Sequence, residues 1–126
     1  MSVTPIDMLQ TGQKALGMAD CEADYRNAVG RFYYAAHHHV KDFHTALPSP
    51  GLNLSKHGSH DELCSQLVNP TIPKGSADYT KSRQLGIMAK ALLTHRIKAD
   101  YWVATHEVFR ADAEEAQHLV SRLIAL

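Results

Sequence analysis

The sequence has no excess of charge of either sign, because 13 basic and 13 acidic residues balance over 126 positions. This balance excludes a general positive field that would draw the protein onto nucleic acid or an anionic membrane, so any such binding must be local. No apolar run approaches the roughly 18 residues of a membrane span, and neither repeats nor low-complexity tracts occur. The sequence therefore predicts a globular domain without a membrane partner.

Cysteine is also scarce. Cys21 and Cys64 lie far apart and form no pair with metal-ligand spacing. Nothing at the N-terminus resembles a signal peptide. These features predict a reduced, cytoplasmic setting, and no metal or other cofactor is expected.

Apolar residues recur at helical spacing along most of the chain, and no alternating strand pattern is convincing. The spacing predicts helices over residues 5–16, 21–46, 60–68 and 77–101, and a last one that starts with a capping box at 112–115. Thr4 is the predicted N-cap of the first, with Pro5 at N1. Residues 102–110 are a predicted connection. The expected fold is a single all-α domain over residues 1–126, an antiparallel up-and-down bundle of four to five helices.

The second predicted helix carries an apolar stripe through Val29, Phe32, Ala36 and Val40. At 100° per residue, a polar stripe lies on roughly the opposite side. His37 and His39 each diverge from His38 by about 100°. The polar stripe, and so the candidate functional face of this helix, is Asn27, Arg31, Tyr34, His38 and Asp42.

Arg96 breaks the apolar stripe of the fourth predicted helix. A guanidinium on a core-facing line is costly unless it is paired, and Asp100, one turn later, is the nearest candidate partner. One interpretation is a buried polar clasp that ties this helix to a neighbour through Tyr33 or Tyr34. The other is a functional cleft.

These segments resemble the HEPN family of small prokaryotic helical proteins. Gly30–His38 is similar to its S-R-x-Y-Y-A-x-F-H signature, and Arg96–Tyr101 to its R-x-x-A-D-Y motif. The mid-chain segment 56–60 and the stretch 113–116 also follow family patterns. The resemblance covers nearly the whole chain in the expected order.

The resemblance implies a homodimer, often encoded beside a nucleotidyltransferase that acts as antitoxin. Active members are metal-independent RNases with an Arg-x4–6-His pattern at the dimer cleft. Arginine can hold the phosphate while histidine takes the 2′-hydroxyl proton. Here Tyr101 stands where that histidine is usual, and a tyrosine is a poor base at neutral pH. The candidate catalytic residues are therefore Arg31, His38 and Arg96, with Asp100 and Tyr101 beside them.

Several alternatives stay open. His38 can simply pack on Tyr34 at the surface, and Tyr101 can be a core aromatic or a site for nucleotidylation by the partner enzyme. Lys56 and His57, with His60, precede or begin a helix where phosphate can bind, although ordinary capping and solvent exposure are the simpler explanation. His57 and His60 lack a third zinc ligand. A non-catalytic HEPN module that binds a nucleotide, RNA or the nucleotidyltransferase, and a plain helical scaffold, are the competing functions.

Overall fold

The computed structural model describes residues 3–126, which form five α-helices and, within that range, no strand. The predicted all-α class is confirmed, and the predicted 77–101 helix matches the observed one at both ends. None of the described helices combines the length and the apolar composition needed to cross a bilayer. The helices are α1 (Pro5–Gly17), α2 (Glu22–Thr45), α3 (Ser59–Val68), α4 (Ala77–Tyr101) and α5 (Arg110–Ile124).

Side-chain hydrogen bonds cap the starts of α1 and α5. Thr4 Oγ1 accepts from the Asp7 amide at 3.2 Å while the Thr4 amide donates to Asp7 Oδ2 at 2.9 Å, which is a complete capping box. The predicted start of the last helix at Asp112 is wrong by two residues. Asp112 is the third residue of α5 and accepts a hydrogen bond from the Phe109 amide at 2.8 Å. Its carboxylate therefore caps the helix from inside the first turn.

α4 runs antiparallel to both α2 and α5, as contacts between their ends demonstrate. The Arg26 side chain, early in α2, reaches the end of α4, while Phe43, late in α2, lies 5.4 Å from the Lys81 ammonium near the start of α4. Lys98 and Asp112 approach to 3.5 Å where α4 ends and α5 begins. The helices thus form a bundle in which α4 is antiparallel to α2 and α5, while α2 and α5 begin at the same end.

The predicted apolar stripe of α2 forms the centre of this bundle. Val29, Phe32, Ala36 and Val40 are each exposed by 1% or less, because α2 packs against α1, α4 and α5 at once. The other large, fully buried side chains come from three further helices. They are Leu67, Leu85, Leu92, Leu123 and Val120.

The last turn of α4 is fixed by an arginine from α2. Arg26 Nη1 donates to the carbonyls of Lys98 and Ala99 at 3.0 and 2.8 Å, and Glu22 holds the same guanidinium through its Nε at 2.9 Å. Carbonyls at a helix C-terminus lack intrahelical donors, so this contact satisfies groups that would otherwise be unpaired. It also holds the turn that carries Asp100 and Tyr101.

Candidate functional site

Arg96 is enclosed by aromatic rings and one carboxylate. Its Nε donates to Asp100 Oδ2 at 3.1 Å, and its Nη2 donates to the Tyr34 hydroxyl at 3.3 Å. The guanidinium carbon lies 5.5, 5.7 and 5.2 Å from the ring centres of Tyr33, Tyr34 and Tyr101. These distances are within cation–π range. We call this set of five residues the Arg96 cage.

The cage follows from helix geometry. Residues 96 and 100 are one turn apart on α4, which brings their side chains together. Tyr33 and Tyr34 come from α2, which crosses the same end of α4. The expected pairing of Arg96 with Asp100 is present, but the expectation of a buried clasp is only half correct. The Arg96 side chain is 15% exposed and that of Asp100 is 40% exposed, because the cage lies at the rim of the bundle.

One side of the cage opens into a groove between α3 and α4, with a volume of about 560 Å³. Apolar side chains form part of its lining, and imidazoles, an ammonium and the Arg96 guanidinium supply polar groups. That mixture is typical of small-molecule sites. The lining residues of this α3–α4 groove are His57, Gly58, His60, Asp61, Lys90, Leu93, Arg96, Ile97 and Tyr101.

The other side of the cage opens into a smaller hollow of about 250 Å³. Arg31 and Asn27 from the predicted polar stripe line it, together with Tyr34 and Asp100 of the cage. We call it the Arg31 hollow. Arg96 therefore lines the groove and contacts Tyr34 and Asp100, which line the hollow together with two further arginines, Arg26 and Arg31.

A cluster of imidazoles extends the cage toward α3. His60 Nδ1 is hydrogen-bonded to the Tyr33 hydroxyl, and the His60 ring centre lies 4.4 Å from that of His37. Burial, with the neighbouring His60 and His38 rings, lowers the pKa of His37 to about 4. Burial and the charges of Arg96 and Lys41 also lower the pKa of His60. Both imidazoles are thus neutral at pH 7.

The remaining predicted residues lie around this centre. The exposed His38 ring lies 6.4 Å from the Tyr34 ring and 5.5 Å from His37. Asp42 is exposed two turns further along α2, about 12 Å beyond Tyr34 at 1.5 Å per residue, and lines neither depression. Lys56 lines a neighbouring hollow under the α2–α3 connection.

Sequence reasoning missed the α3 side of the site. His37 diverges from the polar stripe and so has no predicted role, but α3 packs on that side and brings His60 against it. Lys90 carries no sequence signal at all, yet it lines the groove and pairs with Asp61. Only the packing of α3 on α4 creates this wall of the groove.

Within residues 3–126, three metal-capable side chains converge at one place, the exposed trio Asp20, Cys21 and Asp24, whose ligand atoms lie within 4.8 Å of one another. This trio lies at the α1–α2 connection, far in sequence from the cage. His57 and His60 gain no third ligand among the described residues.

No family model, no curated protein and no solved structure matches this chain. The resemblance to the HEPN family therefore stays a prediction from short motifs, and the candidate site depends on its own geometry.

Proposed function

We propose that this chain is a HEPN-type protein that binds RNA across the Arg96 cage and cleaves it without a metal ion. Arg96 holds the scissile phosphate, and Arg31 neutralises a neighbouring one. His38 takes the proton from the 2′-hydroxyl, and the 2′-oxygen attacks the adjacent phosphorus. The bond from phosphorus to the 5′-oxygen breaks, the 5′-oxygen takes a proton from water, and a cyclic phosphate remains. Tyr34, Asp100 and Tyr101 orient Arg96 or contact the strand.

The observation that carries this proposal is the fixed guanidinium between two depressions. A strand that crosses the cage meets Arg31 on one side and the α3–α4 groove on the other. Arginine binds phosphate oxygens through a planar pair of N–H donors. The rings around Arg96 already restrict its side chain, so phosphate binding costs less conformational entropy. His38 lies one turn beyond Tyr34, whose hydroxyl contacts Arg96.

The experiment is RNA cleavage by the purified protein in EDTA. We expect His38→Ala and Arg31→Ala each to reduce cleavage at least about 100-fold, the lower range for loss of an acid–base group, with little change in melting temperature. Exposed residues away from the cage supply matched controls. His118→Ala on α5 and Arg83→Ala on α4 should cleave normally. Absence of cleavage with every RNA tested contradicts the catalytic proposal.

One observation favours a second candidate, a non-catalytic module that binds RNA or a nucleotide. The cations near the groove are already paired, Arg96 with Asp100 and Lys90 with Asp61. In addition, Tyr101 stands where active relatives carry histidine. This candidate predicts retained RNA binding in EDTA without cleavage, measured by fluorescence anisotropy, and weaker binding by Arg96→Ala.

The resemblance also supports two partner proposals. A homodimer would place two Arg96 cages at one cleft, and sedimentation equilibrium tests it directly. A nucleotidyltransferase antitoxin would bind the same protein and modify Tyr101, whose side chain is largely exposed. Co-purification with a nucleotidyltransferase encoded next to this gene tests that proposal.

A further inference from the structure

His60 is held from several sides at the start of α3. Its ring centre lies 4.4 Å from that of His37, 5.5 Å from Tyr33 and 6.5 Å from Tyr34. Its Nδ1 is hydrogen-bonded to the Tyr33 hydroxyl. The same imidazole lines the α3–α4 groove. The ring is therefore held in orientation by these contacts while it also lines the groove.

The bond between Tyr33 and His60 has a preferred direction. Tyr33 is only 3% exposed, and burial raises the pKa of its hydroxyl well above the usual value, so the hydroxyl keeps its proton. A phenol is a stronger donor than a neutral imidazole, and an imidazole nitrogen is a stronger acceptor than a phenol oxygen. Tyr33 therefore donates, and Nδ1 accepts. The proton of the neutral imidazole must then reside on Nε2.

Protonation of the whole ring is disfavoured by its surroundings. His60 is the second residue of α3, at the positive end of the helix dipole. Burial and the nearby Arg96 and Lys41 act in the same direction and lower the pKa of His60. Within residues 3–126, Nε2 has no hydrogen-bond partner. A neutral Nε2–H group is therefore available to the groove.

We propose that Tyr33 holds His60 as a neutral hydrogen-bond donor, and that its Nε2–H contacts a phosphodiester oxygen in the α3–α4 groove. The identity of this ligand rests on the proposed function, whereas the donor state of His60 does not. Tyr33 is then a positioning residue, and His60 binds the strand beside Arg96. His60 is not the general base, because its free nitrogen already carries a proton.

The charges around the groove favour a phosphodiester over a more highly charged ligand. Lys90 pairs with Asp61 and Arg96 with Asp100, so these two cations are balanced by two carboxylates. A neutral donor adds a hydrogen bond without adding charge. Because neither cation is in surplus, a singly charged phosphodiester leaves less uncompensated negative charge beside Asp61 than a triphosphate would. An RNA strand and a simple dialkyl phosphate share this chemistry and can be told apart experimentally.

The first experiment reads the tautomer in the full-length protein alone. Long-range ¹H–¹⁵N NMR at pH 7 should show His60 with an unprotonated Nδ1 and a protonated Nε2. Tyr33→Phe should convert this to a mixture of tautomers, whereas Tyr79→Phe, a change on α4, should leave it unaltered. A protonated Nδ1, or a mixture in the wild type, overturns the inference. The wild-type spectrum decides this even if Tyr33→Phe does not fold.

The second experiment identifies the ligand contact. Dimethyl phosphate, a singly charged phosphodiester, should shift the His60 Nε2–H resonance, with a smaller shift from ATP. No shift overturns the proposed contact. With a short single-stranded oligoribonucleotide, His60→Ala should weaken binding about fivefold, the loss expected for one neutral hydrogen bond. His60→Gln, whose amide can donate from a similar position, should restore part of it.

The two proposals fail separately. If dimethyl phosphate shifts His60 but no RNA binds, the RNA function is wrong and the donor site remains. If RNA binds and depends on Arg96 while His60→Ala binds it normally, the donor contact is wrong and the RNA function remains.

Discussion

Replacing Arg96 with alanine should destabilise the fold mainly by emptying the ring cage and only slightly by breaking the ion pair. Partly desolvated cation–π contacts contribute roughly 0.5–2 kcal/mol, and the hydrogen bond to Tyr34 about 1 kcal/mol. The pair with Asp100 is an i,i+4 contact whose carboxylate is 40% exposed, worth about 0.3–0.5 kcal/mol. Because these contributions overlap, we expect a total loss of about 2–3 kcal/mol.

Asp100→Asn separates the two contributions, since it removes the carboxylate charge and leaves the rings in place. It should lower the free energy of unfolding by only about 0.5 kcal/mol. Arg96→Lys should be intermediate, because an ammonium keeps the charge but loses the planar fork. Arg83→Ala, a change at an exposed arginine of the same helix, should be within about 0.5 kcal/mol of wild type.

Urea unfolding followed by far-UV circular dichroism at pH 7 measures these differences. The reasoning is refuted if Asp100→Asn costs as much as Arg96→Ala, because the ion pair would then dominate. It is refuted equally if Arg96→Ala is near neutral. A loss of about 3–5 kcal/mol from Asp100→Asn would indicate a charge stranded in the interior, which the exposure of Asp100 argues against.

Three further predictions concern the rest of the fold. Gly86→Ala should lower the melting temperature, because the new Cβ would lie 2.7 Å from a side-chain methyl of α3 and 2.9 Å from the α3 backbone. Gly30→Ala should raise the melting temperature, because the space around Gly30 is open and alanine favours the helix. The free energy of unfolding should fall as the pH drops from about 6.5 toward 4, because His37 has a pKa of about 4 in the folded protein and is protonated more readily in the unfolded chain. In urea titrations, His37→Gln should flatten that pH dependence. An unchanged dependence would contradict the prediction. In the native protein, Ellman's reagent should modify the exposed Cys21. It should react with Cys64 only after denaturant is added, because burial of this thiol raises its pKa to about 11. Equal reaction rates for the two thiols in the native protein would contradict the packing of α3.

The sequence predicted much of the α2 and α4 side of the site because that chemistry is local. Arg96 and Asp100 are one helical turn apart, and the position of Tyr34 on the polar face follows from the 100° step of the helix. Helical projection placed Arg31 and His38 on the same face for the same reason, and both are exposed. It failed for Asp42, which shares the stripe but lies too far along α2 to reach either depression.

Apolar periodicity by itself determined that five helices form and roughly where they lie, because a helix is stabilised by contacts within a few residues along the chain. The tertiary structure alone decided which side chains from different helices meet. The packing of α3 on α4 brings Lys90 to the groove, and α2 brings Tyr33 to His60. These contacts join residues that are 27 or more positions apart. No local sequence pattern predicts such contacts, because they depend on how the buried faces of three helices pack together.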